Sequence, residues 1–329
     1  MKTVATTVAA YLDDWAGTTL AISEATGARR PSTVALHRWA VTKHLGPRLA
    51  KVKLARIGKG DVDRLVGSLL ASGLKPNSVR LIRSTLGVAL GDAVRAGLIL
   101  RNPVGLAERL VVAGSAVVDD VLSADEAGRV LAAARGDRME ALGSVMLGTG
   151  LRKGEALALR WSDVDLTGGT IRVERTLQRL DGKLTIGPPK TRSSVRTVAV
   201  PAFVVEALGR HRTNQLEEKA ALGPDWADGD LVFTTIVGTP VDPRNCQRWW
   251  DRMCKRAGIG KRRPHAARHS TATAALAAGM PVTEVSAMLG HSNSATTLKV
   301  YAHATGDGGA KVAAAIDRWL QSASGDAGP

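Results

Sequence analysis

The chain is poor in cysteine, tyrosine and acidic residues, and it has no long hydrophobic run. Only Cys246 and Cys254 occur among 329 residues. No disulfide framework can hold such a chain together, no cysteine metal quartet can be assembled, and a reducing cytosolic compartment fits best. No apolar stretch approaches the ~20 residues that a membrane span needs. Met1 to Ala10 is mildly apolar, but Tyr11-Leu12-Asp13-Asp14-Trp15 follows at once, without the hydrophobic region or cleavage site of an export signal. Asp and Glu number 30 against 45 Lys and Arg, a formal net charge of +15. That shortage of acid leads to the expectation of an anionic partner, for which nucleic acid is the commonest candidate, although a generally basic soluble protein would show the same total.

The excess is unevenly placed. Residues 1 to 112 hold 17 Lys or Arg against 7 Asp or Glu, while the remainder holds 28 against 23. The first third thus reads as a segment that grips a polyanion, with binding that weakens steeply as salt rises, because neutralised phosphates release counterions. A length of 329 residues leads to the expectation of two domains. Val4 to Leu110 reads as helices joined by short turns. Pro31-Ser32-Thr33 precedes Leu36, Trp39 and Ala40 at helical spacing. Pro76-Asn77-Ser78 precedes a stripe of Val79, Ile82, Leu86, Ala89 and Ala93 that ends at Gly97. Arg80 and Arg83 fall off that stripe, on an outer face that is either solvated or in contact with the polyanion; with Lys43 they are the candidate DNA contacts.

Periodicity is lost from Asn102 to Asp120, and Ser123-Ala124-Asp125-Glu126 then carries a capping-box signature. The expected boundaries are a helical domain over 1–112, a connection over 113–122 and a second domain over 123–329. Within the second, Thr170 to Glu174, Lys183 to Ile186 and Arg196 to Val200 alternate, with Asp181-Gly182 as a hairpin turn, which suggests three strands at most. Helices are expected over Lys153 to Arg160, Arg244 to Ala257, His269 to Ala278, Val282 to Leu289 and Ala310 to Ser322. The fold class is therefore mainly α with a small antiparallel β-sheet (α+β).

Chemistry-bearing residues gather toward the C-terminal end. His265-Ala-Ala-Arg268-His269, Leu289-Gly290-His291 and Val300-Tyr301-Ala302-His303 supply a cation, imidazoles and a phenol; Thr149-Gly150-Leu151-Arg152-Lys153-Gly154-Glu155 and Pro189-Lys190-Thr191 add further cations. Such a set is suited to attack on a phosphodiester. Guanidinium groups meet the charge that develops on the non-bridging oxygens with paired hydrogen bonds, and Arg152 and Arg268 are the candidates. A side-chain nucleophile conserves the energy of the broken bond in a covalent intermediate. Of the two tyrosines, Tyr11 lies far from the other candidates in sequence, which leaves Tyr301. Each of these residues alone has a plainer alternative: a surface arginine at a helix start, a histidine satisfied at a helix end, a solvated lysine beside prolines.

Taken together, in the order Arg152, Lys190, His265-x-x-Arg268, His291, Tyr301, the strings resemble the tyrosine recombinase (phage integrase) family. The resemblance covers most of the chain, since the basic N-terminal segment is similar to that family's core-binding domain; Ala266 and Ala267 depart from the acidic residue and leucine often found inside the His-x-x-Arg motif. It implies a helical core-binding domain and a mixed catalytic domain that form a C-shaped clamp on duplex DNA. It also implies a site-specific recombinase that cleaves and rejoins DNA through a 3′-phosphotyrosine. His265 would accept or relay the tyrosine proton, His291 would hydrogen-bond the scissile phosphate, and Lys190 would protonate the 5′-oxygen. The implied partners are double-stranded attachment sites, a homotetramer on synapsed DNA, and accessory or directionality factors, as for a mobile genetic element; neither a cofactor nor a metal is expected, and the protein should stay with the chromosome. Two readings stay open beside it: a type IB topoisomerase, and a helical DNA-binding regulator that forms no covalent adduct.

Overall fold

A computed structural model of the protein describes residues 6–108, 110, 121–180, 182–189 and 191–291. The chain divides into two compact units, 1–115 and 116–329.

The first unit is helical, with α1 (Val8–Gly17), α2 (Thr19–Ala25), α3 (Pro31–Ala40), α4 (Gly46–Leu49), α5 (Lys59–Ala71) and α6 (Pro76–Arg95). Helix α6 is the spine. Pro76 opens it at a position where no N–H is needed, and Gly97 stops it at φ 68°. Its buried face carries the expected Val79, Ile82, Leu86, Ala89 and Ala93, joined by Thr85 and Leu90. Two aromatic residues of α1 rest their polar tips on this helix: Trp15 donates Nε1–H to Asp92 at 2.7 Å, and Tyr11 donates its hydroxyl to the Ala89 carbonyl at 2.6 Å. Burial, with Asp92 nearby, pushes the Tyr11 phenol up to about 12. Tyr11 is a packing residue.

The α3 stripe differs from expectation. Val34, His37 and Ala40 face the core, whereas Trp39 is 38% exposed and Leu36 is half-buried. The polar residue can hold a core position because His37 Nδ1 meets Thr85 Oγ1 at 2.9 Å, and a buried polar group is tolerated when it is bonded. After Ala40 the helix widens into one π-turn, Val41–Leu45, closed by Gly46 N–H to the Val41 carbonyl. Pro47 explains the widening: it has no N–H for the Lys43 carbonyl, and its ring crowds that oxygen. Lys43 is exposed on this turn, as Arg80 is on α6.

Arg83, the third candidate DNA contact, has its guanidinium engaged within this unit. Its guanidinium donates to the carbonyls of Glu108 (2.6 Å), Val104 (2.9 Å) and Ala107 (3.0 Å). It thereby ties the segment after α6 back onto that helix and has no need of a phosphate to explain its place. Arg83→Met should lower the stability of the chain by about 1–3 kcal/mol, since three carbonyls lose a charged donor. Thermal melts check this; an unchanged melting temperature combined with weakened DNA binding would reverse the assignment.

The second unit begins with the expected capping box. Ser123 Oγ accepts from Glu126 N–H at 3.1 Å, and Glu126 accepts from Ser123 N–H at 2.9 Å, which opens α7 (Ala124–Ala134). Leu122, expected in the connection, is instead buried in this unit's core, with its N–H on Ser270 Oγ at 2.7 Å. Then follow α8 (Glu140–Thr149), α9 (Lys153–Ala156), β1 (Val164–Asp165), β2 (Thr170–Val173), β3 (Thr176–Leu180), β4 (Lys183–Gly187), β5 (Arg196–Ala199), α10 (Ala202–Leu222), α11 (Pro243–Arg256), α12 (His265–Ala277) and α13 (Val282–Leu289).

Mainly helical with small antiparallel sheets is thus the observed class, but the strands pair differently from the single hairpin expected. Strand β2 lies between β1 and β5, while β3 and β4 form a separate two-stranded hairpin with Leu180 opposite Lys183. Glu174-Arg175 breaks the alternation, so β2 and β3 belong to different sheets. Helix α9 stops at Ala156 rather than Arg160, because Arg160 bridges to Leu231 and a 3₁₀ turn follows. Helix α12 starts at His265, four residues earlier than read, directly after Pro264. Alanines 266 and 267 are 0% and 1% exposed within the main core, so small residues suit the first turn of α12 there. The Ala310 to Ser322 helix lies outside the described residues.

Candidate active site

Two helices end on left-handed glycines, and their ends meet. Helix α8 terminates at Gly150 (φ 64°) and α13 at Gly290 (φ 67°). A Cβ on Gly150 would stand 3.0 Å from the Leu289 side chain; one on Gly290 would stand 3.1 Å from Arg196 Nη1, the Ser193 carbonyl and Ser194 Cα. Both positions combine positive φ with close approach, the two demands that glycine meets without strain.

Arg268 occupies the junction. It is 2% exposed, and its Nη1 donates to the Gly150 carbonyl at 2.8 Å while Nη2 donates to the Leu289 carbonyl at 2.6 Å. Those oxygens lie at the negative ends of α8 and α13, which favour a cation. Arg152 caps the start of α9 on the other side of Gly150. Its Nη1 pairs with Glu155 Oε1 at 2.7 Å, and its Nη2 has a long 3.5 Å contact with the Gly290 carbonyl. The spacing Gly150-Leu151-Arg152 and the turn at Leu289-Gly290-His291 therefore bring Arg152, Arg268 and His291 around one point, as the sequence order suggested.

The other expected residues stand differently. His265 is exposed at the start of α12, with its ring edge-on to His269 at 4.6 Å between centroids. His269, quoted in the motif but given no role, links His265 to the cluster, since its charge acts on His291. Lys190 and Tyr301 lie outside the described residues.

Sequence reasoning missed two members. Glu155, only 2% exposed, accepts from Arg152 N–H (3.0 Å) and from both Arg152 and Arg196 side chains. Burial pushes its carboxyl up, yet the charge and hydrogen bond of Arg196 and the contacts from Arg152 prevail and hold it below the usual range. The spacing Arg152-x-x-Glu155 at a helix start was the available signal. Arg196 had none, because two of its partners, Glu155 and Met288, come from distant segments.

His291 is the electrostatically distinctive group. Burial, then the charges of Arg268, Arg152, Arg196 and His269, lower its pKa to about 4. The imidazole is neutral at pH 7, so it can donate one N–H without adding charge. The folded form takes up a proton here less readily than an unfolded chain does. Stability is accordingly complete above the ordinary value of 6.5 and is lost as pH falls from there toward 4. His37 and His211, both lowered by burial first, act in the same direction. We expect the melting temperature to fall across that window and His291→Asn to flatten part of the slope; an identical slope in the variant would refute the cause.

This geometry can bind a phosphate between two guanidinium groups and offer it a neutral imidazole. Among the described residues no cluster of His, Cys, Asp and Glu could hold a metal ion, and no helix is long and apolar enough to cross a membrane.

Comparison with known proteins agrees with this reading. The profile of the Phage integrase family matches residues 120–307. An integrase of Streptomyces ambofaciens is 34% identical over 308 residues, with 90% of this chain and 76% of that protein covered. A tyrosine recombinase XerC-like protein of Caldanaerobacter subterraneus subsp. tengcongensis is 30% identical over 293 residues, covering 84% and 75%. Among solved structures, the Tn1549 transposon integrase in complex with transposon right end DNA shares the fold at a TM-score of 0.77 and 22% identity, covering 95% of this chain and 99% of that one.

The chain belongs to the phage integrase family. It is a tyrosine-type site-specific recombinase, an enzyme that breaks and rejoins DNA through a tyrosine-linked intermediate.

Proposed function

We propose that Arg152, Lys190, His265, Arg268, His291 and Tyr301 form the catalytic set. Arg152 and Arg268 would hold the scissile phosphate, and neutral His291 would hydrogen-bond one of its oxygens. Tyr301 would attack phosphorus, displace the 5′-oxygen and remain as a 3′-phosphotyrosine; His265 would take or relay the phenol proton and Lys190 would give the leaving oxygen its proton. The observation that carries this reading is the convergence of Arg152, Arg268 and His291 on the paired glycine turns. The locked, half-buried phenol of Tyr11 supports Tyr301 as nucleophile.

The substrate is duplex DNA carrying attachment-type sites, gripped by the basic helical unit through exposed cations that include Lys43 and Arg80. Exchange between two duplexes breaks four strands, and one candidate phenol per chain then calls for four copies, a homotetramer on synapsed DNA. Accessory or directionality factors would set whether a mobile element enters or leaves the chromosome in the cytoplasm. A nicked suicide duplex built from repeated sequence flanking the gene tests the reading: protein should become trapped on it, with the nucleotide mapped to Tyr301. A linkage to another residue, or relaxation of supercoiled plasmid without recombinant products, would contradict it.

A further inference from the structure

One guanidinium joins segments next to two of the proposed catalytic residues, Arg152 and His291. Arg196, on β5, has a side chain 7% exposed. Its Nε donates to the Met288 carbonyl at 2.6 Å, its Nη1 to the Ser194 carbonyl at 2.9 Å, and its Nη2 to Glu155 Oε2 at 3.0 Å. Met288 lies in the last turn of α13, three residues before His291. Ser194 follows Lys190 by four residues. Glu155 holds Arg152 through its other oxygen at 2.7 Å.

We propose that Arg196 is a positioning residue for strand cleavage: it sets Arg152 through Glu155 and His291 through the end of α13. The inference rests on the catalytic reading given above. Two features make the arrangement specific to arginine. The three acceptors lie in different directions around one planar group, which a lysine ammonium cannot reach together. Glu155 is buried at 2% exposure between two guanidinium groups, so loss of Arg196 leaves its carboxylate with half its charge compensation and frees it to pull Arg152 away from a phosphate. Gly290 belongs to the same device, since only a residue without Cβ lets the α13 turn sit against Arg196 and Ser193.

Arg196 also bears on His291. The groups whose charge bears on that imidazole are Arg268 and His269 on α12, Arg152 at the α8–α9 turn, and Arg196 on β5. Removing one positive charge from this set raises the His291 titration midpoint, whereas replacement by lysine leaves it nearly in place. The two variants therefore separate geometry from charge.

The test uses the full chain with Arg196→Lys and Arg196→Met, with Arg152→Ala as a control. Single-turnover cleavage of the suicide duplex, its Kd, the melting temperature and the His291 titration by NMR are measured for each. We expect Arg196→Met to cleave roughly 100-fold more slowly, the scale of a catalytic group displaced by about an ångström, with Kd within about threefold of the parent. Its His291 midpoint should move upward from about 4. Arg196→Lys should lose about tenfold in rate with Kd and the His291 midpoint retained. Parental cleavage by a folded Arg196→Met protein would overturn the proposal. Should that variant fail to fold, Arg196→Lys decides alone, and a parental rate would overturn it. Cleavage by Arg152→Ala would instead sink the catalytic reading itself, so the two failures are distinguishable.

Discussion

Tyr301→Phe should abolish the covalent protein–DNA adduct on a nicked suicide duplex while leaving duplex affinity within about threefold, because in the proposed catalytic set the phenol contributes to bond-making and not to uniform binding. The expected loss is at least about four orders of magnitude in adduct formation, the scale on which removal of a nucleophile acts in enzymes with a covalent intermediate. No other tyrosine can substitute. Tyr11, on α1, gives its hydroxyl to the Ala89 carbonyl of α6, and burial first of all pushes its phenol up to about 12, which makes the phenolate harder to form. Denaturing gel analysis of the trapped complex, with mapping of the linked peptide, measures the outcome. An adduct of normal yield in the variant would require a different nucleophile and would remove the basis of the proposed catalytic set.

Arg268→Lys carries the second largest expected effect, and on two quantities at once. Arg268 is buried at the meeting point of two helix ends and divides its guanidinium between the Gly150 and Leu289 carbonyls. A lysine keeps the charge but cannot span both oxygens in one plane. At least one charged hydrogen bond is lost, about 1.5–3 kcal/mol of stability, and the α8 and α13 ends lose their common tie. Cleavage should fall roughly 100- to 1000-fold, comparable with removal of one preorganised donor at a developing negative charge. The two readouts need not move together. If an osmolyte restores the melting temperature and the rate stays low, the catalytic part stands; full recovery of rate would reduce Arg268 to a packing residue.

Much of this molecule was legible before its structure. The α6 stripe, the Ser123 to Glu126 capping box and helix α13 at Val282–Leu289 agree with the sequence reading, since each rests on local periodicity and end signals that act within a few residues. The pairing of strands was not legible. Residues 164–165 are too short to announce a strand, and whether β2 joins β4 or β5 depends on registry between segments more than 20 residues apart. Helix α9 similarly ends early because a bridge from Arg160 to Leu231 outweighs a helical tendency that favours continuation.

The site shows the same division. Residue types and their order pointed to phosphodiester chemistry, because Arg152, the His265-x-x-Arg268 pair, His291 and Tyr301 are a short and chemically coherent vocabulary. In the sequence Arg83 stood off the apolar stripe of a helix and Arg196 opened an alternating strand, with nothing to tell which groups either would meet. The structure gives one to three loop carbonyls and the other to Glu155, Met288 and Ser194. By itself the sequence determined the class of fold through composition and local pattern, and the family and reaction through the resemblance that the order of a few side chains carries. Tertiary structure alone decided which carbonyls and carboxylates each guanidinium meets, because a guanidinium acquires its partners from segments that the fold brings to it.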